Sequence, residues 1–359
     1  MKRILMMAAV AMITAMTMNA QRIQVCDSEG QPVPYAHIIN DNGDIIGTTN
    51  LNGILDDVKG AKVISVSHIA YKPKKVNVER GGRITLEDIE FDLPAITITT
   101  KPQVYVQTYY RMFYMNDDPE MPAYYYRGGL LNNYFDNNTR KRSSDEDHFS
   151  ACNIGIMKTL LNTMFSPYIK QFAGLSMNKV EDRMKKKYGK TELSITPDGT
   201  DRQRITDKFG VVGSITDNHE KGERRYSYDL HLMYQHLLQV IGSDKKIAKA
   251  EKRAEKQLNR KDQDFTIYLI DENGNYDPED FVMSQVATSY DDAKDNSHVN
   301  IIMQVFTTKR AYVTKDELKK IKKENKMKMT YENLIQFERS HNIPPLAADL
   351  QKHIREIVK

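Results

Sequence analysis

The chain has 359 residues, 40% of them hydrophobic and 28% charged, with a formal net charge of +4. That length accommodates two domains, and that composition excludes whole-chain disorder and collagen-like repeats. Two cysteines exclude a fold resting on a disulfide framework, and so small a net charge gives no electrostatic case for a nucleic-acid partner.

Residues 1–20 have the layout of a secretory signal peptide. Met1-Lys2-Arg3 supplies the positive start and residues 4–13 the apolar run, and cleavage is expected after Ala20, before Gln21. The apolar stretch 4–18 falls short of the ~20 residues a spanning helix needs, so cleavage is expected over retention as an anchor. Without Lys2 and Arg3 the formal charge falls from +4 to +2. Among later stretches the best membrane candidate, 154–165, is interrupted by Lys158, Thr159 and Asn162 and reads as a buried helix. The expected product is exported, periplasmic or associated with the outer membrane, with no transmembrane segment after cleavage. Cys26 lacks the small preceding residues that lipid attachment requires, and Cys26 and Cys152 can form one bridge at most.

Residues 21–100 are net acidic, whereas 101–359 are net basic. The first of these regions holds seven short β-like runs, at 22–26, 35–40, 45–49, 61–67, 75–78, 83–86 and 95–99. Asp27-Ser28-Glu29-Gly30, Asp41-Asn42-Gly43-Asp44, Asn50-Leu51-Asn52-Gly53 and Gly81-Gly82 punctuate them, and such residues favour tight turns. The spacing predicts a small antiparallel sandwich. Four motifs in order then carry a resemblance. They are Val25-x-Asp27-x-x-Gly30-x-Pro32-x-Pro34-Tyr35-Ala36, Gly47-Thr48-Thr49-Asn50-x-x-Gly53, Ile64-x-Val66-Ser67-x-x-Ala70-Tyr71, and Leu93-Pro94-Ala95-Ile96-Thr97-Ile98. This succession resembles the carboxypeptidase-regulatory-like domain of bacterial envelope proteins. The resemblance implies an all-β seven-stranded, transthyretin- or immunoglobulin-like sandwich that acts as a scaffold and brings no catalytic residues. Asn50, Ile54 and Ala70 depart from that family's usual Asp, aromatic and Gly.

In many envelope proteins this module precedes a large outer-membrane barrel, but the residues after 100 are too few for one at ~10 per strand plus loops. Residues 349–358 also end the chain with helical spacing of Leu350, Ile354, Ile357 and Val358, where a barrel would end in a strand. Region 101–359 instead reads as an α+β domain with antiparallel strands and C-terminal helices. Strands are expected at 105–114, 124–135, 191–196, 209–216, 265–270 and 299–307, the last two central. Helices are expected at 154–165, 230–241, 314–326, 331–339 and 349–358, the third opened by a Thr314/Glu317 capping box. Residues 244–261, dense in Lys, Glu and Ala, read as a solvated helical excursion. Tyr109-Tyr110-Arg111 and Ile343-Pro344-Pro345-Leu346 resemble the uncharacterised segment that often follows the module, which brings no known activity.

Sites for chemistry fail on spacing. His353-Ile354-Arg355-Glu356 has no downstream His, and His219-Glu220-Lys221-Gly222-Glu223 ends in Glu where a zincin needs His. His231 and His236, five apart, point in different directions around a helix. The run 271–277 has alternating oxygen ligands but Tyr276 and Val282 where a calcium loop needs Gly and Glu, so it reads as a turn between strands. Cys152 has only His148 nearby, and neither a nucleophile elbow nor a phosphate loop occurs. Catalytic, cofactor and metal residues are therefore all expected to be none. The aromatics crowded into 105–135 read as a sheet buried on one face, with adjacent tyrosines on opposite faces and some exposed; a stacking platform for a glycan or peptide is the sharper reading. The expectation is a non-enzymatic envelope protein that binds or scaffolds a protein or polysaccharide. Its alternatives are a glycan- or wall-directed hydrolase using paired acids at ~5–9 Å, and a structural assembly subunit.

Overall fold

The computed structural model describes residues 21–78, 82–91, 103–136, 142–172, 178–324 and 329–358. The expected signal peptide, the expected strand at 95–99 and the domain boundary placed between 100 and 101 lie outside them. The chain divides into two compact units, residues 1–89 with 346–351, and residues 90–345 with 352–359.

The first unit contains β1 (Ile23–Cys26), β2 (His37–Ile39), β3 (Ile45–Thr48), β4 (Ile54–Leu55), β5 (Val63–His68), β6 (Tyr71–Asn77) and β7 (Gly82–Thr85). The turn chemistry acts as its residues require. Gly53 adopts φ +70°, and a Cβ there would sit 2.3 Å from the Val25 carbonyl. Asn50 closes the same turn by accepting from the N–H groups of Asn52 and Ile54. The strands do not form a clean seven-stranded antiparallel sandwich. They divide into a three-stranded sheet, β4-β1-β7, and a four-stranded sheet, β3-β2-β5-β6. The β1–β7 pair is parallel. Turn residues specify hairpins between successive strands, but β1 takes both its partners from far along the chain, where turns are silent. Val25, Val33, Ile38, Ile64 and Val66 are completely buried and supply the apolar interior. Asp349, from the returning segment, accepts from the Ser65 hydroxyl at 2.6 Å and pairs with Lys75 at 3.2 Å.

The second unit is built on one ten-stranded sheet, ordered β10-β9-β8-β17-β16-β15-β14-β13-β12-β11. Its strands are β8 (Gln103–Asn116), β9 (Ala123–Asp136), β10 (Arg142–Cys152), β11 (Ser194–Pro197), β12 (Arg202–Asp207), β13 (Gly210–Asn218), β14 (Glu223–Asp229), β15 (Gln257–Leu269), β16 (Phe281–Asp292) and β17 (Ser297–Val313). Every pairing is antiparallel. Two meanders, β8–β10 and β11–β17, meet at the β8–β17 pair. The helices are α1 (Gly155–Phe172), α2 (Val180–Tyr188), α3 (Leu230–Ile241), α4 (Asp244–Ala254), α5 (Lys315–Glu324), α6 (Tyr331–Ser340) and α7 (Gln351–Ile357). Thr314 and Glu317 form the expected reciprocal cap of α5.

Three expectations change. The central strands are buried on both faces, so Tyr109 and Tyr110 are both fully covered. On one face Phe337 of α6 stacks on Tyr109 at 5.7 Å, and on the other Phe165 of α1 lies 5.9 Å from Tyr125. Alternation along a strand exposes a face only if nothing packs there. Second, α1 is not wholly buried: Ile156, Leu160 and Met164 lie in the open, at 85%, 63% and 52% exposure. Third, the helix expected over 244–261 ends at Ala254, and Gln257 begins β15. No helix among the described residues is long and apolar enough to cross a membrane.

Candidate functional site

The second unit holds a cleft of about 990 Å³ bounded by α3, α4 and the first half of β15. Its position follows from a helical hairpin. Asp229 caps α3 by accepting from the Leu232 N–H at 2.9 Å. Gly242 ends the helix, where a Cβ would lie 2.3 Å from the Leu238 carbonyl and 2.9 Å from Ile247. Only glycine allows the chain to turn so closely into α4. One face of α3 faces inward through Met233 and His236, both buried. The adjoining stripe of Leu230, Tyr234, Leu237, Leu238 and Ile241 lines the cleft. These positions follow the helical period, which gives α3 a continuous apolar wall. The opposite wall differs, because α4 buries none of its residues and presents Lys246, Lys249 and Arg253.

The floor is polar and tied together. A bulge between Leu258 and Lys261 breaks the β15–β16 register, with Asn259 at φ +53°. Bulges re-aim side chains, and here Leu258, Asn259 and Arg260 line the cleft. The Arg260 guanidinium grips Asp262 bidentately at 2.7 and 2.6 Å. Thr288 donates to the same carboxylate at 2.6 Å, and His231 lies 3.4 Å from it. Burial pushes the Asp262 carboxyl up, but the bonds from His231, Arg260 and Thr288 outweigh that and hold it at about 2. Asp262 is thus an anchored anion at neutral pH. On α3, Gln235 and His231 bond each other at 2.9 Å. On the far side Gln257 accepts from both Arg253 and Arg260 at 2.8 Å. The lining carries five cations, Lys187, Lys246, Lys249, Arg253 and Arg260, against the single carboxylate of Asp262.

The residues tested from the sequence have other places. His236 is buried against Asp207 at 2.8 Å, under the ring of Phe209 at 4.7 Å. His219 sits 3.5 Å from Asp201 at an exposed position, and His353 stacks on Tyr124 at 4.1 Å. Asp271 accepts from the N–H groups of Asn273 and Asn275, so 271–277 begins with the expected turn after β15. His148 lies 3.6 Å from Glu146, and Cys152 Sγ contacts Asn153 at 3.9 Å. Both Cys26 and Cys152 are free thiols. Among the described residues no group of three or more metal-type ligands occurs. The cleft is hidden in the sequence because its apolar wall and the basic run that faces it lie in two separate segments of different composition. The signal was present: an apolar helix, then Gly242-Ser243-Asp244, then a second helix whose Ile247, Ala250 and Ala254 share a face.

No family model matches the chain, and no curated protein matches it. Among solved structures, one chain described as "Lipid-protein interactions in lipovitellin" is similar at 10% identity and a TM-score of 0.31. The match covers 60% of this chain and 26% of that one, so this chain spans about a quarter of its length. A similarity that weak carries nothing over, and the site stands on its own geometry.

Proposed function

We propose that this is an exported cell-envelope protein that works by binding, with the cleft of the second unit as its binding site. The first unit, by its resemblance to the carboxypeptidase-regulatory-like module, serves as scaffold. The observation that carries this reading is the cleft itself, a half-open space with an apolar wall facing a cationic one. Its volume of about 990 Å³ lies at the upper end of the ~300–1,000 Å³ usual for small-molecule sites. The hydrolase alternative needs two facing carboxylates, one able to hold a proton near neutrality. Asp262 is the carboxylate that lines the cleft, and its bonds hold it ionised.

Native mass spectrometry of the full protein, released gently from its own cell envelope, tests both parts. The expected species begins at Gln21 and carries a small-molecule adduct that a Leu238→Asp variant loses. A chain retaining Met1 overturns the cleaved, exported form. Bare chains of equal standing for both proteins overturn the cleft as binding site.

A further inference from the structure

The ligand class can be read from what the two walls leave available. Leu230, Tyr234, Leu237, Leu238 and Ile241 offer a largely apolar surface about three helical turns long, with the Tyr234 hydroxyl as its one polar group. Much of the polar lining is engaged within the protein: His231 bonds Gln235, Gln257 accepts from two arginines, and Asp262 is held by Arg260 and Thr288. Between their ends both helices satisfy their main-chain groups internally, so the walls offer no strand edge to an extended peptide. What dominates the two walls is hydrocarbon and positive charge. Lys246 and Lys249 form no ion pair among the described residues, and both are exposed on the α4 wall. They are single ammonium charges, whereas of the two guanidinium forks in the lining that of Arg260 is taken by Asp262 and that of Arg253 gives its Nε to Gln257.

We propose that the cleft holds a long-chain fatty acid, its chain along α3 and its carboxylate beside Lys246 and Lys249. This deepens the binding reading above and rests on it. An acyl chain gains from every CH₂ it buries along the wall. The carboxylate meets an environment with an excess of cations. Because α4 buries no side chain of its own, a bound chain would cover Ala250 and Ala254 of α4 as well as the wall of α3.

The test uses the full protein and the fluorescent polyene cis-parinaric acid, beside its uncharged methyl ester. The acid is expected to bind saturably at one site, and the ester about tenfold more weakly. A Lys246→Glu/Lys249→Glu variant is expected to lose about tenfold in affinity for the acid and to leave the ester unchanged. Leu238→Asp should abolish both. Equal binding of acid and ester, or no effect of the double charge reversal, overturns the carboxylate head. Displacement by a lysophospholipid in preference to palmitic acid overturns it in favour of a phosphate. Binding that survives Leu238→Asp places the probe elsewhere and overturns the site. If neither probe binds while native mass spectrometry still finds a cleft-dependent adduct, the fatty acid is wrong and the binding reading stands. If that adduct is also absent, both fall.

Discussion

The two units set their most deeply buried ionisable side chains in different surroundings. In the second, buried arginines and the carboxylates that face them share networks, although Ser297 Oγ and His298 Nε2 are buried with no partner among the described residues. Arg127, 2% exposed, reaches Glu146 and the hydroxyl of Tyr110 on one side and the Asn162 carbonyl on the other. Arg111 bonds Gln304 at 2.7 Å, Glu338 at 3.1 Å and the Pro344 carbonyl at 2.8 Å, while Tyr109 donates to the same Glu338. Glu181 accepts from both Tyr226 and Tyr276. In the first unit, His37 Nε2 and Thr48 Oγ1 are buried with no partner among the described residues. The comparison teaches where each unit is vulnerable. A satisfied network fails when one member is removed, and an unsatisfied imidazole fails when it must take up a proton.

The largest expected effect breaks the network. Arg127→Leu leaves Glu146 buried without its cation, and removing one partner of such a pair costs about 3–5 kcal/mol. The thermal midpoint of the second unit should fall by roughly 10 °C or more, read by calorimetry on the full chain. A shift of a degree or two would mean that water replaces the guanidinium and the network is not what holds this face.

The second prediction concerns pH. Burial lowers His37 from its ordinary 6.5 to about 4, and a backbone hydrogen bond at Ser67 opposes this without overcoming it. The unfolded chain therefore binds the proton more readily than the folded one. The stabilisation is fully present above pH 6.5 and is lost as pH falls from 6.5 towards 4. It amounts to about 3 kcal/mol over that window. Amide exchange in β2 and β5 should accelerate between pH 7 and 4.5, after correction for the intrinsic rate, while β8 and β17 stay protected. Equal loosening in both units would remove the contrast.

Two smaller effects sharpen it. Gly242→Ala drives a methyl against the Leu238 carbonyl, and such overpacking costs about 1–3 kcal/mol. Because α4 buries nothing, exchange should rise in α3 and α4 and leave the networks of the second unit untouched. Asp349→Ala should destabilise the first unit by about 1–2 kcal/mol through the lost Ser65 bond. A null result there would show that residues 346–351 contribute nothing to the unit they are folded into.

Much of the strand and helix placement was legible, and the reasons are local. The helix over 230–241 announces itself by period, the Thr314 cap by its Glu317, and the turns at Asn50 and Asp271 by their own side chains. What was not legible depends on partners distant in sequence. Strands β10, β12 and β14 are rich in charged or small polar residues, and their place in the sheet is set by neighbours rather than by their own pattern. The partition of the first unit's strands into two sheets, and the return of Asp349 to Ser65, likewise leave no trace in local spacing. The cleft was half legible. Its apolar wall was visible as a helix, but its cations looked like solvent-facing charge until the corner at Gly242 brought α4 opposite α3.

The most direct test of the cleft as binding site is a photo-crosslinking residue placed at Tyr234, on the α3 wall, in the full protein in its own cells. The account predicts a small-molecule adduct after irradiation, mapped by peptide mass to residues 230–262, and none when the same label replaces exposed Lys74 in the first unit. Unmodified peptides from the Tyr234 position, or equal adducts at both positions, would contradict it.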